Sequence, residues 1–460
     1  MIYMKKFITT HQTETDEDLD MTKRVNSSSK YLFAIIAQIC IIGVSLVVPI
    51  FYESDFFSII VGSNICITMI TVIVLFNCRH EKSIKKSYLS LLLFIGVSFI
   101  FNGIYYRVIG YIAIGIVFAF IIPLINFVFS ENNIFSSAKA LSLGTIISFI
   151  VFFLLSVCCG PALGMNQYTS FFSNPNTLGG YMIIVVAASI FLILDSCEEL
   201  KKRSVLYYVI FAFSISVAIY TNSRTSILAI FIQIIFLSLL YMSYYIKNHD
   251  IKNLIRFLKK GLLIGALIIV CFSFTFVLLT NVKIAIIEHF PNMQMTTEYE
   301  KITVRDELGR MGLRYTKGVL GENGNDEFTS GRKEIWSTFI KEIHLKGHEE
   351  EGLKVVEDTR FYQKTNAHNV YLQMAYSAGA LVGIAMIVLM FLVAKDLLSK
   401  IVIFFKTGKI DNEVIFTICM SLGFAIFSLT SGGYMVFTYL PTTMFYFALY
   451  TVMIKNKGRE

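Results

Sequence analysis

Residues 262–282, LLIGALIIVCFSFTFVLLTNV, hold no Asp, Glu, Lys or Arg. A helix crossing the ~30 Å hydrocarbon core of a bilayer needs about 20 such residues, because no backbone amide can be left unpaired there. The stretch does not alternate polar and apolar residues as a barrel strand would, so it reads as a membrane-spanning helix. Eleven further runs read the same way, at approximately 31–51, 56–78, 88–106, 108–129, 140–162, 178–195, 205–221, 225–246, 370–394, 412–431 and 434–454.

The 460 residues as a whole are 55% hydrophobic and 16% charged, with mean hydropathy +0.66. A soluble domain carries about 25% charged residues, and a disordered chain has too few apolar groups to match this one. The expected fold class is all-α: a polytopic helical membrane bundle of about 12 transmembrane helices with one long, partly helical extracytoplasmic loop. Residues 1–30 form a polar cytoplasmic tail with an acidic cluster from Glu14 to Asp20, 31–282 carry transmembrane helices 1–9, and 283–369 are the large loop. Residues 370–454 carry helices 10–12, and 455–460 are a second cytoplasmic tail.

Lys and Arg set the orientation. With the N-terminus inside, 25 of them lie in inside segments and two, Arg107 and Arg224, in short outside loops; the other 13 lie in the long loop. Long segments cross largely regardless of charge, so 25 against two decides for both termini in the cytoplasm. The net charge of +8 then belongs with anionic lipid rather than nucleic acid. None of the eight cysteines lies in 283–369, which argues against a disulfide framework; Cys158 and Cys159 read as small packing residues.

Within the loop, apolar residues at 335, 336, 339, 340 and 343 recur at helical spacing. They predict an amphipathic helix over the bundle mouth, capped by Thr329 or Ser330, ended by Gly347 and anchored at the interface by Trp336. Arg224 stands at the outer start of the eighth span, where both the loop-charge bias and the helix macrodipole oppose a cation. It is either a snorkelling side chain or, with the helix amides, an anion holder. Arg332, after Ser330 and Gly331, is either a solvated helix charge or a second guanidinium for the oxygens of a diphosphate.

His368 lies where the loop re-enters the membrane, and a neutral imidazole there can act as a general base. The bland alternative is an interfacial histidine beside an Asn-type cap. Asn369 and Tyr371 either orient a sugar hydroxyl or belong to the helix start and aromatic belt. Asn174 and Asn176, flanking Pro175, form a turn whose amides are further candidates for sugar binding. His344 and His348 lack a third ligand, so no metal site is expected. No phosphate-binding glycine loop or dinucleotide fingerprint is present. Gly379 and Gly383 read as helix-packing residues.

Thr221 to Ser226, then Ser330-Gly331-Arg332 with Ile335-Trp336, then Ala367-His368-Asn369-Val370-Tyr371 through Gly379 and Gly383 occur in that order around the long loop. This arrangement resembles the O-antigen ligase and O-antigen polymerase family of bacterial membrane proteins, most strongly over about 170–385. The resemblance implies a metal-independent, inverting glycosyltransferase, without cofactor, in the bacterial plasma (inner) membrane with its active site on the outer face. Its implied partners are a polyprenyl-diphosphate-linked glycan donor, a glycan acceptor, membrane lipids and envelope polysaccharide assembly proteins. Arg224 and Arg332 would bind the diphosphate and His368 would activate or orient the acceptor hydroxyl. Relatives often carry a Gly-x-Gly-like turn after the loop helix, where this chain has Gly347-His348-Glu349-Glu350-Glu351-Gly352. Polymerisation of repeat units is the preferred activity. Ligation of finished glycan to an acceptor, or secondary transport, are the alternatives. A transporter needs mid-depth ionisable groups or matched broken helices, and neither is legible here.

Overall fold

The computed structural model describes residues 28–43, 56–76, 82–131, 136–159, 175–198, 204–289, 305, 308–309, 312, 332–350, 352–353, 365–431 and 433–456. It is mostly helical. Eight described helices are long and apolar enough to cross a membrane. They are α3 (Lys86–Tyr106), α4 (Ile109–Glu131), α5 (Ser137–Cys159), α6 (Pro175–Glu198), α8 (Arg224–Lys247), α9 (Ile251–His289), α12 (Ala380–Thr407) and α13 (Asn412–Thr430). Helices α1 (Ser28–Gly43), α2 (Phe56–Leu75) and α7 (Ser204–Tyr220) contribute shorter apolar stretches. The fold is therefore that of a multi-pass helical membrane protein. Residues 1–27 and most of 290–331 lie outside the described residues.

Two predicted spans differ from the expectation. The run 370–394 is split at Gly379 into α11 (Val370–Ala378) and α12. Gly379 has φ 104° and ψ 154°, a conformation essentially confined to glycine. The run 434–454 contains only α14 (Leu440–Ala448) and α15 (Tyr450–Met453). Every residue of α14 is buried, so this run is apolar because protein surrounds it, and nine residues are too short to span. A second small departure is a pair of three-residue strands, β1 (Lys82–Ile84) and β2 (Ile454–Asn456), antiparallel with Ser83 opposite Lys455. The first residues of the predicted C-terminal tail are thus strand.

Helix α6 is the hub. It packs against α5, α7, α8, α13 and α14, and Tyr181 to Ala188 are almost wholly buried. Glycines permit this crowding: a Cβ on Gly180 would touch Phe427 and Pro441, and one on Gly179 would overlap the Ser226 hydroxyl. Helices α3 and α4 meet in the same way, Gly96 lying on the carbonyl of Gly115 and Gly115 on that of Gly96. Within α4, residues Val117–Ile121 widen into a π turn just before Pro123. Proline lacks the N–H and its ring crowds the carbonyl four residues back, at Ala119, so the wider turn absorbs the mismatch. At the opposite pole, α9 is mostly exposed along its length, as a lipid-facing helix is.

Ion pairs Lys85–Asp396 and Lys139–Asp195, both 2.7 Å, lie toward the β1–β2 end of the bundle. The α7–α8 turn, α10 (Arg332–Lys341) and the turn before α11 lie at the other end.

Replacing Gly96 with Ala would bring its Cβ within 2.6 Å of a backbone oxygen. That overpacking should cost about 1–3 kcal/mol and lower the melting midpoint of the detergent-solubilised protein, followed by circular dichroism. Gly62→Ala, with nothing within 4 Å, should leave the midpoint in place.

Candidate functional site

The α7–α8 turn is built from short polar residues. Thr221, Asn222, Ser223 and Ser226 are all buried, and Asn222 takes the left-handed conformation at φ 58°. The Thr221 hydroxyl donates to Ala218 O at 2.7 Å and accepts the Ser223 N–H at 3.2 Å. The Ser223 hydroxyl donates to Asn176 Oδ1 at 2.9 Å and meets Ser226 Oγ at 2.9 Å. This knot seats on Gly179 and presents Arg224 as the first residue of α8, half-buried. The Ser223 side chain makes no capping bond to the amides of that helix start. Asn176 is exposed on the first turn of α6, which Pro175 opens. The predicted Asn-Pro-Asn turn is thus a helix start, and Asn176 Oδ1 supports the Arg224 turn. Asn174 lies outside the described residues.

Arg332 opens α10. Ile335 and Phe339, at one and two turns further on, are buried and form a separate small core with Ala367 and Tyr376, flanked by Leu353 and Leu372. Phe339 meets Tyr376 edge-on at 4.8 Å. The buried stripe is narrower than the apolar one, since Ile340 is 57% exposed and Trp336 half-buried. The helix ends at Lys341, before the predicted stop. Gly347, at φ 72°, instead makes a close backbone contact: it lies against Ser377 O, where a Cβ would come within 2.4 Å. The 344–347 strap is tied down by Ala380 N–H to His344 O (3.0 Å) and by the Tyr106 hydroxyl to Gly347 O (3.1 Å). Ser330 and Gly331 lie outside the described residues.

His368 sits in a turn held by amide side chains. Its own N–H donates to Asn366 Oδ1 at 2.9 Å, and the Ala367 N–H to Gln373 Oε1 at 2.8 Å. Asn369 caps α11, its Oδ1 accepting the Leu372 N–H at 3.1 Å. His368 itself is left-handed at φ 46°, and its Nε2 lies 3.4 Å from Thr365 Oγ1. A two-way backbone bridge between Leu353 and Thr365 closes the chain just upstream. Tyr371 accepts a hydrogen bond from Ser428 Oγ at 3.1 Å. Asn369 and Tyr371 therefore both make structural contacts beside His368.

Of the residues singled out in the sequence, Arg332 lies within the electrostatic reach of Arg224, and His368 within that of Arg332. Burial, and then repulsion by Arg224, depress the Arg332 guanidinium. Burial, and then repulsion by Arg332, push the His368 imidazole down to about 4. At neutral pH the arrangement is two guanidinium cations beside an uncharged imidazole, a cluster whose like charges an anion would relieve. Among the described residues no group of three or more metal-binding side chains is assembled. His348 instead stacks on Tyr376 at 4.0 Å, and His344 lies 5.0 Å from His348. Sequence reading did not single out Asn366 or Gln373. A buried glutamine inside an apolar span was the signal for the second. No family model and no curated protein matches this sequence.

A folded-state value near 4 against 6.5 when unfolded means that the unfolded chain binds the extra proton between those values. This residue's contribution to stability is therefore lost as pH falls from 6.5 toward 4. Nuclear magnetic resonance titration of labelled histidines, with His368→Gln to assign the signal, should give a midpoint near 4. Arg332→Gln should raise it; an ordinary midpoint of 6.5 in the unmodified protein would contradict the buried, cation-flanked placement.

Proposed function

We propose that this protein is a membrane glycosyltransferase that polymerises polyprenyl-diphosphate-linked oligosaccharide repeat units into a surface polysaccharide on the outer face of the bacterial plasma membrane. The observation that supports the reading is the through-space repulsion between Arg224 and Arg332 and between Arg332 and a protonated His368. The acceptor hydroxyl oxygen attacks the anomeric carbon of the donor, the bond from that carbon to the diphosphate oxygen breaks, and the configuration inverts. The hydroxyl proton passes to the free ring nitrogen of His368. The leaving diphosphate keeps the electron pair, and Arg224 and Arg332 stabilise its growing charge.

The depressed basicity of His368 fits this sequence of events. Burial and Arg332 repel the proton, whereas a diphosphate between the cations offsets the charge of Arg332 and makes the imidazole a better base. The carrier's hydrocarbon chain belongs in the bilayer and the sugars outside it. Ligation of finished glycan to a different acceptor uses the same three groups and differs only in what brings the hydroxyl.

The break at Gly379 is the feature that favours a transporter, since broken helices bind ions in that class. Here the carbonyls of His344 and Leu345 fill the break.

Arg224→Ala, Arg332→Ala and His368→Ala, at equal protein levels, should each reduce polymer by at least the roughly hundredfold typical of a lost acid–base or anion-stabilising group. Gel analysis of surface glycans reads this directly, and normal chain-length ladders in all three would refute the assignment. Deletion should leave single lipid-linked repeats. Long lipid-linked chains would instead indicate the ligase, and unchanged glycans with altered solute uptake the transporter.

A further inference from the structure

We infer that Gln373 is the positioning residue of this site: its side-chain amide clamps the 366–368 turn and so holds the His368 imidazole beside Arg332. The role rests on the reading of the site above, but the test below reads His368 itself, so the two fail separately.

Gln373 is 1% exposed on α11. Its orientation is dictated by its partners. The Ala367 N–H can only donate, so it requires Oε1, at 2.8 Å. The amide nitrogen then turns to Ser377 Oγ, one helical turn on, at 3.1 Å. Ala367 is itself fully buried, so without Gln373 its N–H would lose this acceptor in a place water does not reach.

The turn needs such a clamp. His368 is a bulky ring residue in the left-handed region, and such a conformation persists only when surroundings over-determine it. Asn366 acts within the turn and would move with it. Asn369 caps the helix start. Gln373 reaches back from within α11, so it ties the turn to the helix body. Because the Ala367 side chain also packs in the small core with Ile335 and Phe339, holding Ala367 fixes His368 relative to the helix that carries Arg332. Arg332 is the charged group acting on His368, with Arg224 behind it.

The test is histidine titration of full-length Gln373→Leu and Ser377→Ala in detergent, with thermal midpoints measured alongside. If Gln373 positions His368, the leucine variant relaxes the turn, the imidazole gains solvent, and its proton affinity rises at least tenfold from the unmodified value. Ser377→Ala, which frees only the far side of the amide, should shift it in the same direction by less. A leucine variant that merely loosens the bundle would melt earlier and titrate unchanged, which overturns the inference. If Gln373→Leu does not fold, an unchanged titration in Ser377→Ala overturns it equally. A shifted titration with undiminished glycan synthesis upholds the positioning and overturns only the proposed chemistry.

Discussion

A chain that lives in hydrocarbon must pair every backbone amide and carbonyl with another part of itself. Most of this protein meets that demand with uninterrupted helices, and its departures from helix are informative because each needs a partner supplied from elsewhere. At Gly379 the helix breaks and the His344 carbonyl accepts the Ala380 N–H. In the irregular stretch before α14, Thr443 Oγ1 accepts the Phe437 N–H, and Asn64 Nδ2 donates to Phe437 O. In the α7–α8 turn Thr221 and Ser223 exchange bonds with the chain and with Asn176. Polar side chains are spent on backbone. Arg224 projects from the α7–α8 turn, and His368 from a turn held likewise by the Asn366 and Gln373 side chains.

Arg224, His368 and Arg332 make an electrostatic arrangement in which like charges oppose one another. Two guanidinium groups repel each other, and an imidazole beside them is held neutral by burial and by charge. Such a cluster is kept in place by packing that has nothing to do with charge. For Arg332 it is Ile335 and Phe339 against Ala367 and Tyr376, and for Arg224 the seating of Ser223 and Ser226 on Gly179. The groups are thus oriented before any anion arrives, which is how fixed donors stabilise a developing charge most effectively. The glycine contacts at 179, 347 and 379 serve this purpose too, since each lets backbone or a short side chain approach closer than a Cβ would allow.

The run lengths were sufficient to locate most helices, because the bilayer imposes a minimum length that few other environments require. They misled at 434–454, where α14 is apolar through burial in protein. Hydropathy registers transfer out of water and is blind to whether lipid or protein replaces it. Local signals also had two readings. Asn369 has the residue type both for binding and for a helix start, and it caps α11, whereas Gly347 has the signature of a helix stop but is a contact against Ser377 O.

By itself the sequence determined that the chain is a helical membrane protein, and it nominated Arg224, Arg332 and His368 by their exceptional positions at span ends and in the loop. Charge in the wrong place is costly, and cost is legible residue by residue. Only the tertiary structure brings Arg332 within the electrostatic reach of Arg224 and His368 within that of Arg332, and sets the Gln373 and Asn366 side chains on the histidine's turn. Those facts depend on which distant residues become neighbours. Residues 224 and 332 stand 108 positions apart, and the packing that joins them leaves no periodicity along the chain.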